Sequence, residues 1–139
     1  MSSISLEETM ARPKSKYPTE LELEILKVLW KEGELSVRQV REILAETGRD
    51  LAHTTLITML NLMTEKKYVS RKPKANSYLF RPKVTQKKVS QGMASDLVTR
   101  VFGGSPSALM LSLLDHETLS PDERDQLLGL IEKHRSNQS

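Results

Sequence analysis

Apolar residues recur along this chain at spacings of three and four, and the interruptions fall where helices can be capped. Leu21, Ile25, Val28 and Leu29 form the first stripe. Thr19 followed by Glu22 supplies a capping box ahead of it and Gly33 a stop, so a helix is predicted near 20–32. Ser36 with Gln39 repeats the capping pattern, Val37, Val40, Ile43 and Leu44 repeat the stripe, and Gly48 ends it, which predicts a second helix near 37–47. After Asp50, a candidate cap, the segment 52–66 puts Leu56, Met59, Leu60 and Met63 on one face and His53, Thr54, Thr58 and Asn61 nearer the other. The outer face of this third helix is polar but uncharged.

The period then changes. Tyr68 to Lys72 and Ser77 to Arg81 are β-prone runs on either side of Pro73-Lys74-Ala75-Asn76, which has turn chemistry; a short hairpin with a basic tip is predicted. From Thr85 to Phe102 the helical spacing returns, with Val89, Met93, Leu97 and Val101 in line and Val98 and Phe102 beside them. Gly103-Gly104 breaks this fourth helix, and Ser105-Pro106 supplies the next N-cap and a proline in first position. Ala108 to Leu114 is apolar nearly all round, so helix five is expected to be buried on several sides. Ser120-Pro121-Asp122-Glu123 opens a last helix carrying Leu127, Leu128 and Ile131.

This order of elements predicts a mainly α fold with a small β-hairpin: a winged helix-turn-helix domain over 18–83, followed by a helical dimerisation domain over 84–135. Helix three would enter the major groove and the hairpin would touch the backbone. Three short apolar helices cannot hide their faces alone, and a twofold pairing of two copies would cover them. The expected interface residues are Val89, Met93, Leu97, Val101, Phe102, Leu111, Leu114, Leu127 and Ile131. Residues 1–17 are expected to be a disordered arm, in which Arg12, Lys14 and Lys16 could trail along a minor groove, and 136–139 a disordered tail.

Charge sharpens the division. Residues 1–88 carry 17 Lys and Arg against 11 Asp and Glu, a net +6, whereas 89–139 carry 4 against 7, a net −3. Between Lys66 and Lys88 lie nine basic residues (Lys66, Lys67, Arg71, Lys72, Lys74, Arg81, Lys83, Lys87, Lys88) and no acidic one. Such a run gains on phosphate by releasing condensed counterions, so the first part is the natural nucleic-acid face.

Other chemistry is scarce. With no Cys among 139 residues there is no disulfide framework or thiolate metal site, and the three His have no ligand spacing, so no cofactor or metal is expected. No apolar run approaches the roughly 18 residues of a membrane span, and a cytoplasmic protein without membrane insertion is expected. A phosphate loop, a G-x-S-x-G turn and a His-carboxylate pair at helical spacing are all missing, which argues against an enzyme. Asp115-His116-Glu117 comes nearest, but at the end of helix five a cation simply complements the helix dipole.

The candidate DNA contacts each have a plainer reading. Thr is a mediocre helix former, so Thr54, Thr55 and Thr58 within five positions are costly as mere solvent-facing residues, and they favour base or phosphate contact. His53 and Asn61 extend that face, although a solvated His is the alternative. Arg71, Lys72 and Lys74, with Ser77, would meet phosphate, or would only keep an edge hairpin from pairing with other chains. Trp30 shares a stripe with Leu23 and Leu26 and reads as a packing residue, as do Met59, Met63 and Met93.

Several of these segments resemble the penicillinase repressor (BlaI/MecI/CopY) family of regulators. Leu21-Glu22-Leu23-Glu24-Ile25-Leu26-Lys27-Val28-Leu29-Trp30 looks like the family's first helix. Thr54-Thr55-Leu56-Ile57-Thr58-Met59-Leu60 is similar to the core of its recognition helix, and Tyr78-Leu79-Phe80-Arg81-Pro82 resembles the strand closing its wing. The resemblance runs from about Pro18 to about His134. It implies a homodimeric transcriptional repressor on a palindromic operator, relieved in some members by a membrane sensor protease that leads to cleavage of an Asn-Phe bond in helix five. The matching positions here are Ser112-Leu113, which keep only the apolar residue after the bond. The paired Cys of copper-responsive members are absent, the family's Arg after the recognition core falls on Leu62, and its helix-ending Gly on Lys67. A winged-helix protein-interaction module and a small-molecule-responsive regulator are the alternative readings.

Overall fold

The computed structural model describes residues 17–115 and 119–138. The N-terminal arm with Arg12, Lys14 and Lys16, and the His116-Glu117 pair, lie outside the described residues. The elements in chain order are α1 (Glu20–Glu32), β1 (Leu35–Ser36), α2 (Val37–Glu46), α3 (His53–Glu65), β2 (Val69–Lys74), β3 (Ser77–Pro82), α4 (Gln86–Val101), α5 (Pro106–Asp115) and α6 (Pro121–Gln138). Three helices followed by a hairpin make a winged helix-turn-helix.

The caps form as the sequence indicates. Thr19 Oγ1 accepts from the Glu22 N–H at 3.2 Å, and Glu22 Oε1 accepts from the Thr19 N–H at 2.8 Å. Gly33, at φ 93°, closes α1 by donating its N–H to the Leu29 carbonyl. Ser36 and Gln39 make the same reciprocal pair at α2, and Ser120 and Glu123 at α6. Asp50 does not cap α3, which starts from Ala52 without any side-chain bond. The loop into α3 is held instead by Arg41, whose Nε donates to the Leu51 carbonyl at 2.9 Å.

The three helices and the sheet share one core. Ile25, Leu26 and Leu29 of α1, Val40 of α2, and Leu56, Leu60 and Met63 of α3 are wholly buried, with Leu44, Val69 and Phe80 nearly so. Each such side chain contributes about 1.5–3 kcal/mol through area removed from water. Trp30 packs against this core and its Nε1 donates to the Val84 carbonyl at 2.8 Å, fastening α1 to the chain leaving the wing.

The sheet has a third strand that the sequence does not announce. Strands lie in the order β1-β3-β2, all antiparallel, with Leu35 opposite Phe80 and Ser36 opposite Leu79. A two-residue strand is too short for alternation to register, and Ser36 doubles as the α2 cap. Among the described residues, two positions adopt left-handed geometry without glycine: Lys67 at φ 68°, turning the chain out of α3, and Ala75 at φ 53°, in the two-residue turn between Lys74 and Ser77.

The chain divides into two compact units, one ending at Met93 and the other beginning at Ala94. The first unit takes in the first half of α4, beyond the boundary expected at residue 83. Gly92 belongs to this arrangement, because a Cβ there would come within 2.9 Å of the Tyr17 ring. In the second unit α6 continues to Gln138, so residues 136–138 are helical rather than a tail. Within a single copy no residue of α5 is fully buried, and Leu111 is 58% exposed. Ala108, Leu109, Met110 and Ser112 are half-buried, and the other residues of the helix are exposed.

Candidate nucleic-acid interface

Helix α3 presents two unlike faces. Leu56, Leu60 and Met63 seat it on the core, while His53, Thr54, Thr55, Thr58 and Asn61 are all exposed. Thr58 Oγ1 donates to the Thr54 carbonyl at 3.0 Å. Its proton is thereby engaged, and it offers the outside lone pairs and a methyl group. Two apolar side chains share this surface: Ile57 is 36% and Leu62 39% exposed. The signal for Ile57 was its place between Thr54 and Thr58, in a helix whose apolar face was already full.

The hairpin lies beside α3 and the two enclose a groove. Its lining includes His53, Ile57 and Asn61 from the helix and Arg71, Ser77 and Tyr78 from the strands, around a volume of about 300 Å³. His53, Ile57 and Asn61 are four residues apart, so one helix edge supplies all three.

Side-chain alternation separates wing residues that the sequence had grouped. Arg71 pairs with Phe80 and Pro73 with Tyr78, placing these four on one sheet face, the face whose Phe80 and Val69 enter the core. Arg71 is accordingly tied to α3: its Nη1 donates to Asn61 Oδ1 at 2.7 Å, and its guanidinium lies 4.6 Å from the centre of the Tyr78 ring. Lys72 and Lys74 alternate onto the opposite face, and Lys74 and Ser77 flank the exposed tip.

The basic run is also less uniform than its sequence. Lys66 turns inward to Glu22, which is 1% exposed, with Nζ 2.8 Å from Oε2. Lys72 meets Glu34 at 3.2 Å. The absence of acidic neighbours along the chain therefore does not hold in space, because α1 and the loop after it bring two carboxylates to the run. Lys67, Lys74, Arg81, Lys83, Lys87 and Lys88 remain exposed. Beneath them, partial burial pushes the Tyr68 phenol above its ordinary pKa; the Glu22 charge adds to the rise and Lys66 opposes it.

In the second unit, Leu97, Val101, Leu111, Leu114 and Ile131 are exposed, and Phe102 and Leu127 half-buried. Val89 and Met93 differ from the rest of their stripe. They belong to the first unit and line a cleft of about 260 Å³ with Leu23, Lys27 and Trp30 of α1. Ser112 is half-buried and Leu113 is 36% exposed, both inside α5. Among the described residues no three His, Asp or Glu side chains are grouped to hold a metal ion, and no single helix is long and apolar enough to cross a membrane.

Comparison with known proteins bears on the family and the fold. The sequence model of the family described as penicillinase repressor matches residues 18–133. A penicillinase repressor of Bacillus licheniformis is 22% identical over 118 residues, covering 85% of this chain and 91% of that protein. The methicillin resistance regulatory protein MecI of Mammaliicoccus sciuri is 21% identical over 112 residues, covering 81% and 90%. Among solved structures, a complex of hsRosR-S4 superimposes with a TM-score of 0.50 at 15% identity, over 89% of this chain and 95% of that one. That likeness bears on the fold alone.

Proposed function

The chain belongs to the penicillinase repressor family, and from that premise we propose that it is a sequence-specific transcriptional repressor that binds a palindromic operator as a homodimer. The family and the relatives matched are regulators of transcription, not enzymes. The observation that carries the reading is α3 itself: an exposed face of His53, Thr54, Thr55, Thr58 and Asn61 on a helix anchored by three wholly buried side chains, with a basic hairpin alongside. Hydroxyl and amide groups on such a face match base edges, and Lys74 with Ser77 at the hairpin tip suits phosphate.

The homodimer rests on the apolar residues left open in the second unit. Leu97, Val101, Leu111, Leu113, Leu114, Leu128, Leu130 and Ile131 are all exposed large apolar side chains of one short segment. A second copy would cover them and set the spacing of two half-sites. Relief of repression by a sensor-protease signal would act on Ser112-Leu113. The pair lies within α5, so the helix would have to open before the bond could be cut.

The test is selection from a randomised duplex pool with the full chain at near-physiological salt. An enriched palindrome with half-sites about one helical turn apart is expected. Salt-sensitive binding without enrichment would overturn the reading.

A further inference from the structure

We propose that Arg71 and Asn61 act as one unit, rich in donors, that reads guanine, resting on the reading of α3 as the recognition helix. Taken alone, an exposed Asn on a recognition helix pairs best with adenine, accepting from N6 through its oxygen and donating to N7 through its nitrogen. Asn61 is not alone. Arg71 Nη1 donates to its Oδ1 at 2.7 Å, and because a guanidinium has donors only, the amide must turn its oxygen to Arg71 and its NH2 away.

The bond is held from both sides. Arg71 lies on the hairpin face that meets α3, with its guanidinium stacked 4.6 Å from the Tyr78 ring centre. A planar cation on a ring keeps its edge free to donate. Asn61 follows His53 and Ile57 along the helix edge that lines the groove. The pair thus offers the Asn61 NH2 and the remaining Arg71 N–H groups, and Arg71 already engages one of the two lone pairs of the oxygen with which Asn61 would accept from an adenine.

Only guanine shows two acceptors side by side in the major groove, O6 and N7; adenine and cytosine each present an amino donor there, and thymine a single acceptor. Arg71 is therefore a specificity-determining residue instead of a phosphate contact, and Tyr78 positions it. The wing and the recognition helix read this base together.

The experiment compares selected sites for the wild-type chain, Asn61→Ala and Arg71→Met. If the wild type enriches no motif, the repressor reading fails before this one is reached. Given a motif, Asn61→Ala should flatten one base pair in each half-site, and the wild type should show guanine there. Arg71→Met should shift that base to adenine and leave the rest of the motif in place. Replacing that guanine with 7-deazaguanine, which needs no protein variant, should weaken wild-type binding about tenfold, the effect of one good base contact. Adenine at that position with the wild type, no flattened position in Asn61→Ala, or indifference to 7-deazaguanine would each overturn the proposal while the motif itself stands.

Discussion

Glu34 holds Lys72: the carboxylate just before β1 reaches the wing lysine at 3.2 Å, although 38 positions separate them in the chain. Lys72 is 62% exposed in its side chain and Glu34 30%, so the pair adds little to stability. Its consequence is electrostatic. A lysine already neutralised by a carboxylate releases fewer counterions on meeting phosphate.

Glu34→Gln should free Lys72 and strengthen binding to cognate and random duplexes alike. It should also steepen the salt dependence by up to about 0.9 in log–log slope, the value of one phosphate contact on duplex DNA. Binding titrations across a salt series measure both. Slopes equal to those of the wild type would mean that Lys72 does not meet DNA.

The Lys66–Glu22 pair is of another kind, since Glu22 is 1% exposed and Lys66 15%. Lys66→Met would leave the buried carboxylate with the Thr19 N–H but without its countercharge, at a cost of about 3 kcal/mol. Arg38→Ala, which breaks an ion pair with side chains 85% and 62% exposed, should cost no more than about 0.5 kcal/mol. Urea unfolding of the two variants checks the contrast. Equal losses would show that Glu22 finds another partner.

These two pairs also mark how far the sequence could be read. Helix positions followed from local signals, because Thr19 with Glu22 and Ser36 with Gln39 act within one turn of chain. The α3 face was legible for the same reason, as burial of Leu56, Leu60 and Met63 decides what is left outside. What escaped depends on residues far apart in the chain: β1 against β3, Lys72 with Glu34, Arg71 with Asn61. The basic run looked uniform only because linear spacing says nothing of Glu22 and Glu34. The apolar surround of helix five signals a need for cover without saying which chain supplies it.

Thr58 and Lys74 should separate base reading from backbone contact. Thr58→Ala removes a hydroxyl oxygen and a methyl from the centre of the α3 face and should relax preference at one base pair, by about 1 kcal/mol or more. Lys74→Ala at the wing tip should weaken all duplexes alike and lower the salt slope by about one. Competition binding with cognate and random duplexes distinguishes them. An equal effect of Thr58→Ala on both would remove α3 from base recognition.

Leu111→Asp addresses the second unit. Leu111 is 58% exposed in the single chain, so a carboxylate there disturbs nothing within the fold. In a dimer that buries α5 the same carboxylate would be desolvated without a partner, a loss of several kcal/mol that far exceeds what one leucine contact provides. Light scattering should give a monomer with unchanged helix content, and operator binding should fall with the loss of the second head. A dimer that persists in this variant would place the interface away from Leu111.

Tyr68 gives the protein an alkaline limit that can be isolated. Its phenol pKa is raised above 10.0, chiefly by burial, with the Glu22 charge adding to the shift. Below pH 10 the phenol is protonated in both folded and unfolded chains, and its contribution is fully present. As pH rises past 10 the unfolded chain gives up this proton first, which favours unfolding until the folded pKa is also passed. Wild-type stability relative to Tyr68→Phe should therefore be flat at neutral pH and decline above about pH 10. Urea midpoints for the pair from pH 7 to 11 measure it, and a difference that grows in favour of the wild type with pH would mean that the Tyr68 phenol loses its proton more readily in the folded chain than in the unfolded one.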